Sequence, residues 1–568
     1  MRHRLIAATI SFALLGACSS PQTTTKTADI SGGNNNNISE LTIFSINDLH
    51  GHLQATNPVP IMVTHEGAEG GSIPAGGYAY LAHAIKQARK DKPNSIVLGA
   101  GDMIGATPIG SALLKDEPVF EALNQLDLTA TSLGNHEFDI GSQALLEKIK
   151  GKCDSKGCNY PNFRGAQFEY LGANVIDKKT GKNWIKPYII KQVGDVKVGI
   201  IGAVTVDTTH LVAGDGVKGL SFEDEATAIN RFVPEIKAQG VAAIIVLIHE
   251  GANYRGAAND PSYQCDGLRG PMVDMMPKLD PAVTMVISGH THQAYTCKIG
   301  GRLLVQARSY GAYFTETTLS IDKKQNRVVN AKAVNHLIDQ EKLAADADAQ
   351  KLVDQVLELT KSVQARPIAQ LNAPLNRQYL PKTWDSMLGN VAVDGQLKFA
   401  RTQGPADIAM MNSGSIRNDL PSGKRPLPLT ITYGDLFAVQ PFGNSITRMK
   451  MTGAQIVKVL QQQWTGRALN DPKKLYVSEG FSYQWKASPN EEERISNVRL
   501  NGKALVADQS YIVIVNSFLA DGGDGFTLFK SGVDRQDIGR DIDALEFYVK
   551  NYSKELIKEY APRVTRAE

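Results

Sequence analysis

Five short apolar runs in the first half of the chain each break off at an Asp, Asn or His. "LTIFSI" (41–46) runs into Asn47, Asp48 and His50, and "SIVLGA" (95–100) into Asp102. "LDLTATSL" (126–133) runs into Gly134-Asn135-His136, "VAAIIVLI" (241–248) into His249, and "AVTMVIS" (282–288) into Gly289-His290-Thr291-His292. Continuous, β-branched runs of this length read as strands buried on both faces, as in layered α/β sheets. Ligands of such sheets gather at the carboxyl ends of the strands. Five strand ends on one rim would bring Asp48, His50, Asp102, Asn135, His249, His290 and His292 within reach of one another. Oxygen and imidazole donors together suit Zn, Mn, Fe or Co better than Ca or Mg alone. Seven side chains exceed one tetrahedral ion and fit two ions sharing a bridging carboxylate. Two ions about 3.5–4 Å apart can hold a nucleophilic water and clamp a phosphoryl oxygen. Each fragment alone says little, since a lone histidine usually serves packing. The joint pattern says more, because six of the 11 histidines (His50, His52, His136, His249, His290 and His292) lie at or just beyond these strand ends and none follows His336.

The chain is long enough, at 568 residues, for two to four domains. A net charge of +3 argues against a basic surface for nucleic acid or for polybasic membrane binding. "MRHR" followed by "LIAATISFALL" is a basic and then apolar leader, too short to span a membrane as a mature helix. Leu15-Gly16-Ala17-Cys18 is similar to a bacterial lipobox, in which Cys18 would be lipidated and become the mature N-terminus. Ser19 stands where Asp would resemble an inner-membrane retention signal, so the expected location is the bacterial cell envelope, anchored at the outer membrane. Residues 19–38 are polar and of low complexity, the composition of a flexible tether. Four cysteines remain besides Cys18, an even number that suits two disulfides in an oxidising compartment. Three pairings are open, with Cys153–Cys158 as a local clip and Cys265–Cys297 as a longer loop the favoured set.

In order, "DLHGH" (48–52), "GD" (101–102), "GNHEFD" (134–139), "HEG" (249–251) and "GHTH" (289–292) resemble the calcineurin-like metallophosphoesterases. "NSGSIRNDLPSG" (412–423), "ITYGDLFAVQPFGN" (431–444) and "FLADGGDGF" (518–526) resemble the C-terminal domain of bacterial and animal 5′-nucleotidases and UDP-sugar hydrolases. The resemblance implies a four-layer α/β/β/α sandwich over residues 39–340 and a mixed α/β substrate-binding domain over 366–552. Between them, residues 341–365 carry apolar residues at helical spacing with few breakers and read as a linking helix. Residues 553–568 form a tail whose end, "APRVTRAE" (561–568), reads as frayed. The resemblance also implies two divalent metal ions, with Zn, Mn, Co and Mg left open. Asp48, His50, Asp102 and His292 would hold one, and Asp102, Asn135, His249 and His290 the other, with Asp102 as the bridge. His136 would hydrogen-bond the transition state and Asp139 would orient it.

On the C-terminal side, the resemblance makes Arg417 a bidentate phosphate binder. Phe442 and Phe518 would stack on a nucleobase, Asp524 would accept from ribose hydroxyls or backbone groups, and Asn412 would contact the base or brace its loop. One stretch departs from the family pattern. The family carries an arginine shortly before an "NxGN" element, whereas "NRQYLPKTWDSMLGN" (376–390) has Trp384 there, with Arg377 and Lys382 the nearest cations. The function implied is hydrolysis of nucleoside 5′-monophosphates, extending to di- and triphosphates or UDP-sugars. Nucleotides are the expected partners, together with the membrane through Cys18, and no nucleic-acid polymer is expected. Two alternatives are a 2′,3′-cyclic-nucleotide phosphodiesterase with 3′-nucleotidase activity and a nucleotide-binding lipoprotein without catalysis.

Overall fold

The computed structural model describes residues 37–54, 59–61, 71–153, 157–212, 216–556 and 561–567. The leader, Cys18 and residues 19–36 of the expected tether lie outside the described residues. The first strand begins at Ile38, and all five apolar runs are strands: Ile38–Ile46, Ser95–Ala100, Leu128–Ser132, Ala243–His249 and Val283–Ser288. The first three lie side by side and parallel in one six-stranded sheet. The other two lie parallel in a second six-stranded sheet, flanked by Val196–Val204 and Arg302–Ala307. Antiparallel strands complete the outer part of each sheet, Tyr313–Asp322 and Arg327–Leu337 on the first and Ala294–Ile299 and Tyr188–Val193 on the second.

Period-two alternation explains why continuous apolar runs are needed. Ile43 and Leu98 of the first sheet face Ile245 and Ile287 of the second in one shared core. Their neighbours Phe44 and Val97 turn to the other side, against Leu81, Phe120 and Leu123 of the helices Tyr78–Arg89 and Glu117–Gln125. On the far side, Val246 and Ile201 meet Ile229, Val233 and Ile236 of the helix Glu225–Ala238. The result is the expected α/β/β/α sandwich, with hydrophobic burial on both faces of each sheet. Both favoured disulfides, Cys153–Cys158 and Cys265–Cys297, are formed.

The linking helix runs from Ala347 to Gln364, shorter at its start than the expected 341–365, because the Asp346 side chain caps it by accepting from the Ala349 N–H. Its apolar face, Ala349, Leu352, Val353 and Val356, is part of the N-terminal core. It is therefore a fixed part of that domain, and the chain leaves it only after Ala365. The C-terminal domain carries a five-stranded sheet ordered Leu475–Val477, Ile408–Asn412, Ser510–Asn516, Ser445–Thr452, Val533–Arg540. The helices Met387–Thr402 and Asp541–Tyr552 pack together on it. No helix among the described residues is long and apolar enough to cross a membrane.

The frayed tail needs correction. Val564–Arg566 is a strand parallel to Phe481–Trp485, and Val564 is buried. Arg563 reaches the buried Asp394 with two hydrogen bonds of 2.8 and 2.7 Å. A three-residue strand has too short a pattern to read, and its hold depends on a carboxylate far away in sequence.

Candidate active site

The five strand ends meet on one rim. The possible ligand atoms of Asp48, His50 and His292 lie within 4.8 Å of one another, as do those of Asp102, His249 and His290. Asp102 joins the two groups, because its Oδ2 lies 3.5 Å from Nε2 of His50 and 3.0 Å from Nε2 of His249. Nε2 of His292 is 3.3 Å from Asp48 and 3.2 Å from Nε2 of His50. Backbone carbonyls set the tautomers. Nδ1 of His50 donates to Gly105 O and Nδ1 of His249 to Ala100 O, each at 2.8 Å, which leaves both Nε2 atoms for the site. Five of these side chains leave the backbone in the left-handed region, at φ 49° for Asp48, 45° for His50, 51° for Asp102, 70° for His290 and 53° for His292. Each such residue costs about 1–2 kcal/mol, strain that folds tend to keep at working sites.

The donors fit a pair of divalent ions. Asn135 Oδ1 is buried with no hydrogen-bond partner, as an atom reserved for a cation would be, and His249 Nε2 has the Asp102 carboxylate beside it at 3.0 Å. Burial opposes charge on His249, yet Asp102 beside it outweighs burial and pushes its pKa up to about 10.

The segment 134–139 folds over this rim as a single turn of 3₁₀ helix, His136–Ile140, after Asn135. Gly134 is required by proximity: a Cβ there would lie 2.1 Å from Oδ1 of Asp102. The His136 N–H donates to that same oxygen at 2.9 Å, and its Nδ1 lies 2.7 Å from Asp139. Burial pushes the His136 pKa down, but Asp139 and Asp102 outweigh it and the pKa is raised. Nε2 is left to face the cavity.

Glu137, to which the sequence motifs assign no role, ties the metal-bearing loops together. Fully buried, its carboxylate accepts N–H groups of Asp102 at 2.9 Å, Met103 at 2.8 Å and Gly134 at 2.7 Å. Glu137→Gln turns one acceptor into a donor aimed at N–H groups. Each N–H left without a partner costs about 1–3 kcal/mol, so the variant is expected to melt earlier and bind metal more weakly in thermal unfolding with and without added metal. An unchanged melting temperature would remove Glu137 from this role. Tyr310 was also missed, because no motif surrounds it. Its ring stacks on His52 at 4.0 Å and edges His50 and His292 at 5.8 and 5.4 Å.

The C-terminal residues close the other side of the same cavity, about 1130 Å³ in volume, and Asn412, Arg417, Phe442, Phe518 and Asp524 all line it. Phe442 stacks on His136 with ring centres 6.0 Å apart, and the Arg417 guanidinium lies 5.6 Å from the Phe442 ring. Phe518 lies against Gly523, where a Cβ would meet its ring at 2.5 Å. Asp524, at φ 57°, accepts from Asn412 at 3.0 Å and pairs with Lys473. Asn412 Oδ1 accepts in turn from Ser415 and Asn516, so Asn412 braces its loop. Of the three residues left open near 384, Trp384 is buried and stacked on Trp485 at 4.2 Å, Lys382 does not line the cavity, and Arg377 does.

Residues 41–294 match the family model for calcineurin-like phosphoesterases, and residues 367–531 match that for the 5′-nucleotidase C-terminal domain. Cell wall protein Lmo0130 of Listeria monocytogenes is 32% identical over 90% of this chain and 67% of its own length. Endonuclease YhcR of Bacillus subtilis is 30% identical over 93% of this chain, which spans only 41% of that relative. The crystal structure of a 5′-nucleotidase precursor from Thermus thermophilus superposes with a TM-score of 0.74 at 26% identity, covering 93% of this chain and 99% of that one. With a calcineurin-like phosphoesterase domain followed by a 5′-nucleotidase C-terminal domain, the chain belongs to the 5′-nucleotidase family.

Proposed function

We propose that this chain is a metal-dependent nucleotidase that hydrolyses nucleoside 5′-phosphates to nucleoside and phosphate. One observation carries the reading: Asp102, Asn135, His290 and His292 of the two candidate metal groups and the C-terminal Arg417, Phe442 and Phe518 line a single cavity. Asp48, His50, Asp102 and His292 would hold one ion and Asp102, Asn135, His249 and His290 the other. When bound, the ions supply Lewis acidity toward the phosphoryl group and make water nucleophilic near neutral pH. His136 donates from Nε2 to phosphoryl oxygens as their charge grows, and Asp139 fixes its tautomer. Arg417 holds the phosphate, Phe518 and Phe442 offer ring faces to the base, and Asp524 accepts from ribose hydroxyls.

Phosphate release from AMP, UDP-glucose, NAD and the cyclic AMP isomers, with products separated by chromatography, tests this. Nucleoside and phosphate from AMP support the reading. Turnover confined to 2′,3′-cyclic AMP favours the phosphodiesterase alternative, and no turnover of any nucleotide favours a binding protein. Phe518→Ala is expected to lower kcat/KM for AMP about 5- to 150-fold, the worth of one base stack, and to leave ribose 5-phosphate, which has no base, little changed. Equal losses on both would take Phe518 out of base binding. Anchoring at the outer membrane through Cys18 belongs to the same proposal, supported by the leader and the Leu15–Cys18 stretch.

A further inference from the structure

The end of the N-terminal domain opposite the metal rim carries a second cavity, about 500 Å³ in volume. The starts of the strands Ala243–His249, Val283–Ser288, Arg302–Ala307 and Arg327–Leu337 build its wall. Four cations line it, Lys237, Lys298, Arg302 and Arg327, and among the described residues no carboxylate does. The rest of the wall is largely apolar, and Val329 on it is 45% exposed.

These cations are held in place without being neutralised. Arg302 donates to the carbonyls of Met276, Leu279 and Asp280, the last two at 3.1 and 3.2 Å. Burial pushes its pKa down and outweighs the pull of Asp280, whose carboxylate already accepts from the Ala282 N–H at 2.8 Å. The Lys298 ammonium stands 4.6 Å from the centre of the Tyr263 ring. Arg327 donates through Nε to Gln325. Asp322, which feels the charge of Arg327, is taken up by the N–H groups of Gln325 and Lys324 and by Asn37. Lys237 is exposed in the last turn of the helix Glu225–Ala238. Lys323 nearby is different, because Asp195 pairs with it at 2.8 Å.

Location supplies a second, independent argument. The described residues begin at Asn37, whose carbonyl accepts from the Lys323 N–H at 2.9 Å and whose side chain donates to Asp322 at 3.2 Å. The same turn continues into Asn326 and Arg327 of the groove. The chain toward Cys18 therefore leaves from the edge of this cavity. Fully extended, the stretch from Cys18 to Asn37 reaches about 65 Å at most, so a lipid on Cys18 would let this end meet a bilayer. The metal rim lies at the other end of the same strands. Ala243 lines the groove and His249 belongs to a metal group, about 20 Å along one strand.

We propose that this groove is a docking site for anionic phospholipid headgroups, which holds the N-terminal domain on a membrane with the metal rim facing away from it. Cations around an apolar floor match a phosphate-bearing headgroup above its acyl chains. A net charge of +3 for the whole chain hides this local excess. The setting rests on the Cys18 anchor proposed above, whereas the charge of the groove does not.

The test uses the full metal-loaded chain carrying Cys18→Ser, which removes any attached lipid, and the same chain with Lys237→Gln and Arg327→Gln added. Co-sedimentation with vesicles of phosphatidylcholine alone, and of equal parts phosphatidylcholine and phosphatidylglycerol, reads binding. The parent is expected to prefer the anionic vesicles, and added salt to weaken that preference. One cation near an anionic surface is worth about fivefold, so the double variant should lose about 10- to 30-fold on the anionic vesicles. Its binding to neutral vesicles and its phosphate release from AMP should stay as in the parent. Lys237→Arg with Arg327→Lys keeps both charges and should keep the preference. A parent that binds both vesicles equally, or a Gln variant that prefers the anionic ones as strongly as the parent, would overturn the proposal. So would release of the parent by inorganic phosphate at constant ionic strength, which would make the groove a small-anion site. Mass spectrometry of the chain with its native Cys18 tests the anchor separately. An unmodified Cys18 removes the anchor, and the vesicle comparison still decides the groove.

Discussion

Asp102→Asn is expected to leave the chain with fewer than two equivalents of metal and to lower kcat on AMP by on the order of 10³ or more. Asp102 is buried, and its Oδ2 lies between the two candidate metal groups, at 3.0 Å from His249 and 3.5 Å from His50. Asparagine keeps the size and still accepts from the His136 N–H through Oδ1. What it removes is the negative charge that two dications would share. Changing even an outer partner of a metal ligand costs about 10- to 100-fold in affinity, and a shared ligand acts at both ions. Elemental analysis after gel filtration reads the metal, and circular dichroism confirms the fold. Full occupancy with normal turnover would show that Asp102 is not the bridge.

His136→Ala should separate chemistry from metal binding. The His136 ring is held at 2.7 Å by Asp139 and is not part of either candidate metal group. Alanine leaves the backbone N–H that Asp102 accepts, so metal content is expected to stay at two equivalents. Loss of one preorganised donor typically lowers kcat about 10²- to 10³-fold. Asp139→Asn should have a smaller effect in the same direction, because it acts only through His136. A His136→Ala chain that kept kcat and lost metal would exchange the roles of His136 and its neighbours.

How far the sequence could be read depended on the range of each signal. Ile43, Leu98, Ile245 and Ile287 were legible as strand residues because burial on both faces leaves a continuous apolar run, and a polar residue at the end of such a run marks the rim. The seven metal-site candidates followed from that, since the topology brings those ends together. Signals that depend on a distant partner were silent. Val564 gained its strand from Tyr483, and Arg563 its place from Asp394. Glu137 looks in sequence like a solvated acid, and only the fold turns backbone N–H groups from two loops onto it. Trp384 advertised a missing arginine without showing that Arg377 faces the cavity instead. The linking helix was legible by its periodicity, while its packing into the N-terminal core was not.

The most direct measurement of the central claim is phosphate release from AMP by the full-length chain, before chelation, after chelation, and after reloading with Mn, Zn, Co or Mg. The account predicts turnover that chelation abolishes and at least one of these ions restores. Turnover indifferent to chelation, or none from fully reloaded protein, would contradict it.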